Sequence, residues 1–99
     1  MLTAFPSDAY QASLKLLYAA STPSGFLASV QPISNYQRIW TRDGVITGLA
    51  ALLTGDEKLV ATFAATLRTI FEAQHPTGFF PSNVVPDTGQ ASYGATAAG

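Results

Sequence analysis

The chain has no cysteine and only one histidine among its 99 residues. Without cysteine, the sequence excludes disulfide frameworks, cysteine-ligated zinc sites and thiol nucleophiles. A single histidine excludes the paired histidines of zinc metalloproteases and leaves too few ligands for a His-rich metal site. We therefore expect neither a metal nor a cofactor in this chain.

Charge is scarce as well. Charged residues make up 11% of the sequence, whereas an average soluble domain carries roughly 25%. Five Lys+Arg against six Asp+Glu give a net charge of −1, which provides no electrostatic attraction to nucleic acid or to an anionic membrane. No apolar run approaches the roughly 18 residues of a membrane span, and residues 1–6 lack the features of a secretory signal. The composition predicts a soluble, cytoplasmic protein that binds neither nucleic acid nor membrane.

Hydrophobic residues account for 47% of the chain and recur at helical spacing in three segments. These patterns predict helices over about residues 7–20, 41–54 and 56–74, with loops elsewhere, and therefore an all-α fold. The two-residue link of Gly55 and Asp56 predicts that the second and third helices are antiparallel, with Asp56 as the N-cap of the third.

The second helix is unusual because apolar residues cover most of its circumference. A helix of that kind is typically buried on most sides. Gly44 and Gly48 lie one turn apart on one face and cost roughly 1 kcal/mol each in helix propensity relative to alanine, which indicates that another helix or backbone approaches closely there. Three helices cannot cover one another's broad apolar faces, so we expect residues 1–99 to be the N-terminal fragment of one larger domain.

A polar and aromatic segment, residues 36–44, lies at the start of the second helix. It contains Tyr36, the only tryptophan (Trp40) and the pair Arg42 and Asp43. An aromatic ring stacks on the apolar face of a sugar, while an arginine and an aspartate offer donors and an acceptor to vicinal hydroxyls. The alternative is structural: the helix dipole alone favours Asp43 in a first turn, and Arg42 then serves as an ion-pair partner. The residue types leave both interpretations open.

Six segments carry a resemblance to a known family, in a consistent order over nearly the whole chain. They are GFLAS (25–29), NYQRIWTRDG (35–44), VITGL (45–49), LTGD (53–56), GFFPSNV (78–84) and SYG (92–94). Together they resemble the opening of bacterial amylo-α-1,6-glucosidase-like proteins, which are relatives of the glucosidase domain of glycogen debranching enzyme. The W-x-R-D element recurs among six-hairpin glycosidases, and its combination with the P-S-N and S-Y-G segments makes the resemblance specific.

The resemblance implies the first helices of an (α/α)6 toroid, incomplete in this chain, and a glycoside hydrolase that acts on α-glucans with inversion. It implies that Arg42 and Asp43 bind hydroxyls of the sugar in the subsite that is cleaved off, and that Trp40 and Tyr36 line the pocket. The partners implied are an oligosaccharide or α-glucan substrate and the remaining helices of the same domain.

The catalytic pair of such an enzyme is not expected within this chain. An inverting glycosidase needs two carboxyl groups roughly 6.5–9.5 Å apart, one as acid and one as base. The chain offers six carboxylates, Asp8, Asp43, Asp56, Glu57, Glu72 and Asp87. Helix termini explain three of them, and in the family the acid and base come from later helices. Two alternatives remain open: a six-hairpin hydrolase of another glycoside, and a non-enzymatic helical interaction module.

Overall fold

The computed structural model describes residues 7–29 and 37–94. In chain order its elements are α1 (Ser7–Ala20), β1 (Ser21–Thr22), β2 (Gly25–Phe26), β3 (Ile39–Trp40), α2 (Thr41–Thr54), α3 (Glu57–Glu72), β4 (Asn83–Val84) and β5 (Ala91–Ser92). The first two helices have the predicted bounds, while the third begins one residue later and ends two residues earlier than expected.

The strands overturn the all-α prediction. Strand β1 pairs with β2, and β4 is the centre of a second antiparallel sheet in the order β3-β4-β5. The described chain is a small mixed α/β domain, so the expectation of the first helices of an (α/α)6 toroid is wrong as well. Each strand has two residues, which is too short for the alternating pattern that identifies a strand in a sequence.

The hairpin of β1 and β2 forms where α1 ends. The Thr22 hydroxyl donates to the carbonyl of Gly25 over 2.7 Å and accepts from the backbone N–H of Ser24 over 3.1 Å. Gly25 has a φ of 135°, a conformation that favours glycine. A Cβ on Gly25 would also lie 2.7 Å from the Thr66 Cα, so the hairpin lies directly against α3.

Helices α2 and α3 form the predicted antiparallel hairpin, and Gly55 and Asp56 connect them. Gly55 is left-handed, with a φ of 69°, and ends α2. The Asp56 carboxylate caps α3 by accepting from the backbone N–H groups of Lys58 and Leu59, over 2.9 and 3.1 Å. Both the turn and the cap are therefore confirmed.

Two glycines of α2 allow α3 to approach closely. A Cβ placed on Gly48 would lie 1.9 Å from Cδ1 of Phe63, and one on Gly44 would lie 2.8 Å from Cγ2 of Thr66. Since real Cβ atoms do not approach other atoms so closely, the Phe63 ring occupies the space that any side chain at position 48 needs. This confirms the predicted close approach at both glycines.

The core lies between the α2–α3 hairpin, the C-terminal half of α1 and the first sheet. Its buried cluster consists of Ala20, Phe26, Ala51, Leu59 and Phe63, with Leu14, Leu17 and Leu67 packed against it. Two threonines of α3 are buried as well, which the apolar pattern did not predict. Their hydroxyls are satisfied because each donates to the carbonyl four residues earlier, and that of Thr66 also accepts from the Phe26 N–H over 2.9 Å.

Helix α2 is not buried on most sides, in line with the expectation that three helices cannot cover one another's apolar faces. Its buried residues are Gly44, Gly48 and Ala51, all of which face α3. The opposite side is exposed, with Leu53 82% accessible. We call this side the α2 outer face; it comprises Ile46, Leu49, Leu52 and Leu53.

We expect the α2 outer face to bind a hydrophobic fluorescent dye, because contiguous apolar surface of this kind is uncommon on monomeric proteins. Leu53→Gln is expected to reduce dye binding while changing stability by no more than about 0.5 kcal/mol, as at other exposed positions. Leu59→Ala is the matched control, since Leu59 is fully buried and its truncation costs about 2–5 kcal/mol. Equal losses of melting temperature in both variants would contradict an exposed α2 outer face.

A hydrogen bond between side chains joins α1 to the start of α3. The Tyr18 hydroxyl donates to the Asp56 carboxylate, and the Lys58 ammonium lies 5.3 Å from the centre of the Tyr18 ring. The hydrogen bond from Tyr18 is the main cause that lowers the pKa of Asp56 below 3.8, with help from the backbone N–H groups that it caps. The same bond raises the pKa of Tyr18 above 10.0.

These shifts predict how stability depends on pH. A carboxyl whose pKa falls on folding stabilises the native state above its unfolded pKa, and this contribution disappears as the pH falls through the lowered value. The contribution of Tyr18, whose pKa is raised, is complete below pH 10.0 and disappears as the pH rises through the raised value. The difference in melting temperature between wild type and Tyr18→Phe is therefore expected to be constant between pH 3.8, the ordinary pKa of the aspartate, and pH 10.0, that of the tyrosine. It is expected to shrink at lower and at higher pH. Tyr10→Phe is the control, and a difference that does not change with pH would contradict the hydrogen bond.

Candidate functional site

The three-stranded sheet has one apolar and one polar face. In its register Ile39 lies opposite Val84, and both side chains are fully buried. Trp40 lies opposite Asn83, and Asn83 lies opposite Ser92. Directly paired residues share a face and successive residues alternate between faces. Trp40, Asn83 and Ser92 therefore form one row on the face that is turned away from Ile39 and Val84.

Hydrogen bonds tie the start of α2 to this sheet. The backbone N–H of Thr41 donates to the carbonyl of Ser82 over 3.0 Å, and its hydroxyl donates to the carbonyl of Pro81 over 2.5 Å. Both the N–H and the hydroxyl of Ser82 donate to the carbonyl of Ser92, over 2.7 and 2.9 Å. The W-x-R-D, P-S-N and S-Y-G segments, which are far apart in the sequence, thus meet at one sheet.

Three of the four predicted site residues lie where β3 leads into α2. Trp40 is half-buried, ends β3 and occupies the N-cap position of α2, where its side chain makes no capping hydrogen bond. Arg42 and Asp43 are exposed in the first turn that follows. Across residues 7–29 and 37–94, neither of these two side chains has a hydrogen bond or an ion pair. Tyr36 lies outside the described residues.

A second arginine, Arg38, belongs to this face and was not among the predicted site residues. Its guanidinium donates to the Asn83 carbonyl oxygen over 3.0 Å, and the Asn83 amide donates to the Ser82 hydroxyl over 3.2 Å. Asn83 is only 3% exposed. No local pattern identifies this network, because the hydrogen bond joins residues 45 positions apart. We call Arg38, Trp40, Asn83 and Ser92, with Arg42 and Asp43 beside them, the polar face.

The polar face has the chemistry of a binding site. It combines an aromatic ring, two guanidinium groups and one carboxylate, which suits neutral polar ligands better than a cation.

A general acid needs a carboxyl with a raised pKa. The pKa of Asp56, at the start of α3, is instead lowered, chiefly by the hydrogen bond from Tyr18. Among the described residues, no three or more acidic or histidine side chains are grouped so that they could hold a metal ion.

The chain was compared with known proteins by sequence and by structure. No protein-family model, no curated protein sequence and no solved structure matches it. The resemblance to amylo-α-1,6-glucosidase-like proteins therefore stays a prediction. None of the helices in the described part of the chain is both long and apolar enough to cross a membrane.

Proposed function

We propose that this chain is the N-terminal part of a glycoside hydrolase of the amylo-α-1,6-glucosidase type, and that it supplies residues that bind an α-glucan. One observation supports the proposal: Trp40 belongs to the sheet that also holds the P-S-N and S-Y-G segments, and Arg42 and Asp43 follow it in the first turn of α2. Cytoplasmic hydrolysis of an oligosaccharide with inversion, without metal or cofactor, belongs to the same proposal.

The chemistry of the three side chains supports sugar binding. An indole ring offers an apolar surface to the C–H face of a pyranose, and it keeps a polar N–H at its edge. Arg42 has donors and Asp43 has acceptors, so a pair of vicinal hydroxyls finds partners of both kinds. The antiparallel pairing of β3 and the hydrogen bonds of Thr41 hold this segment rigidly, which favours precise positioning of a ligand.

In this proposal the catalytic acid and base belong to other parts of the enzyme. Those parts, including further helices, also cover the α2 outer face, whose apolar side chains are exposed in this chain. The chain by itself is therefore expected to bind an α-glucan without hydrolysing it. Release of glucose from a limit dextrin by the purified chain, clearly above background, would show that a catalytic pair is present among its six carboxylates.

The proposal is tested by the fluorescence of Trp40, the only tryptophan in the sequence. Titration with maltotriose and with panose, which contains an α-1,6 linkage, is expected to change the Trp40 emission in a saturable way. Cellotriose, the β-linked counterpart, is the control and is expected to cause a much weaker change. If neither α-linked sugar causes a saturable change, the proposal is wrong.

A second candidate function is supported by the α2 outer face. Exposed contiguous apolar surface marks many sites of protein association, so the chain could instead serve as a helical interaction module without enzymatic activity. The two functions make different predictions for Leu53→Gln. An interaction module loses association when Leu53 becomes polar, whereas the binding of α-glucan at the polar face does not change.

A further inference from the structure

Arg38 directly precedes β3 and is two residues before Trp40. The residue between them, Ile39, has a fully buried side chain. Asn83, the residue paired with Trp40 on β4, accepts the hydrogen bond from Arg38 over 3.0 Å. The guanidinium is therefore held at the residue that pairs with Trp40 across the sheet, rather than extended freely into solvent.

The Asn83 amide is occupied on both sides. Its carbonyl oxygen accepts from Arg38, and its N–H donates to the hydroxyl of Ser82, which itself donates to the carbonyl of Ser92. Asn83 is 3% exposed, so its orientation is fixed by its surroundings. This buried acceptor also restricts the orientation of the Arg38 guanidinium. Because the side chain is already ordered, it loses less entropy when a ligand binds.

The hydrogen bond to Asn83 uses only a small part of the donor capacity of Arg38. A guanidinium has five N–H donors in a planar fork, and one nitrogen is engaged here. No buried side-chain nitrogen or oxygen of the described residues lacks a partner, so the remaining donors of Arg38 reach solvent. A shorter donor than arginine would be enough to hydrogen-bond Asn83. A guanidinium fork fixed at the partner of Trp40 also suits a ligand with adjacent oxygen atoms.

We propose that Arg38 is a further sugar-binding residue of the polar face, and that Asn83 is a positioning residue which holds its guanidinium toward a glucose ring stacked on Trp40. The inference rests on the proposed function. The ligand chemistry is that of a neutral α-glucan, whose vicinal hydroxyl oxygens accept hydrogen bonds from the fork. Arg38 then acts together with Arg42 and Asp43 in selecting the sugar.

The test measures the dissociation constant of maltotriose by Trp40 fluorescence, at a temperature where each variant is fully folded by circular dichroism. Arg38→Met keeps the aliphatic stem and removes the donors, so the dissociation constant is expected to rise about 10- to 150-fold, as for the loss of a hydrogen bond from a charged group. Arg38→Lys keeps the charge without the fork and is expected to bind nearly as weakly. Arg68→Met is the matched control, because Arg68 is an exposed residue of α3 and is expected to leave binding unchanged.

Two variants of Asn83 test its positioning role. Asn83→Leu removes the acceptor at similar volume and is expected to weaken binding at least about fivefold. Asn83→Asp keeps an oxygen acceptor for Arg38 and loses only the donor to Ser82, so it is expected to bind more tightly than Asn83→Leu. If wild type binds maltotriose and Arg38→Met binds it equally well, the inference is wrong while the proposed function stands. If wild type binds no α-glucan, both are wrong. A lower melting temperature with unchanged affinity in every variant would show that the pair only stabilises the sheet.

Discussion

Gly48→Ala is expected to destabilise the protein by up to about 2 kcal/mol, although alanine is the better helix former. The added Cβ would lie 1.9 Å from Cδ1 and 2.5 Å from Cγ of Phe63, so the whole ring has to move. Because Phe63 is buried in the core, its displacement causes overpacking, which typically costs about 1–3 kcal/mol and occasionally more. The gain of roughly 1 kcal/mol in helix propensity offsets only part of this cost. Thermal unfolding is the measurement, with an expected fall in melting temperature of up to about 16 °C.

Other glycines provide the controls for this prediction. Gly44→Ala meets only a methyl group of Thr66, at 2.8 Å, and is expected to cost less. Gly94→Ala has open space around the added Cβ and is expected to change stability very little. In a Phe63→Ala background the clash disappears, so Gly48→Ala is expected to be neutral or stabilising there, with a coupling energy of about 1–3 kcal/mol, the cost of the overpacking. Equal effects in both backgrounds would contradict the close contact of α2 with Phe63.

The helices were predictable because their signals are local. The Asp56 cap, the left-handed Gly55 and the apolar spacing of α3 all lie within one or two turns of the residues they affect. The strands could not be predicted in the same way. Residues 39–40 pair with residues 83–84 through backbone hydrogen bonds, and two-residue strands contain no periodicity that marks them.

Which side of α2 is buried could not be predicted from its composition. Composition shows which side chains favour burial, but it does not show which neighbours are present to cover them. The side of α2 with glycine and alanine packs against α3, because small residues permit the closest approach, while larger residues such as Leu53 stay exposed. Buried Thr66 was missed for the converse reason: its hydroxyl is satisfied by the Thr62 carbonyl and the Phe26 N–H, which makes its burial inexpensive.

The candidate site was predictable only in part. Trp40, Arg42 and Asp43 are neighbours in the sequence, so their proximity follows directly. The contribution of Arg38 depends on Asn83, which reaches it only through the pairing of β3 with β4. Residue types alone do not reveal that contact, because it depends on the register in which two distant segments pair.

Asp43→Asn is expected to raise the dissociation constant for maltotriose about 10- to 150-fold, with little change in melting temperature. The carboxylate of Asp43 is exposed in the first turn of α2 and has no partner among the described residues, so it is available to accept from sugar hydroxyls. Hydrogen bonds to a charged group contribute about 1.5–3 kcal/mol each. Asparagine keeps the shape of the side chain and removes the charge, so the fold is expected to persist. Titration by Trp40 fluorescence measures the change.

Glu57→Gln separates the binding role of Asp43 from a helix-dipole role. Glu57 is an exposed acidic residue in the first turn of α3, as Asp43 is in the first turn of α2. A negative charge at either helix start stabilises the fold by about 0.3–1 kcal/mol, so the dipole role predicts equal, small losses of melting temperature in both variants and unchanged sugar affinity. The sugar-binding role predicts weaker affinity in Asp43→Asn alone. Unchanged affinity in Asp43→Asn, together with a melting temperature lowered as in Glu57→Gln, would end the assignment of Asp43 to sugar binding.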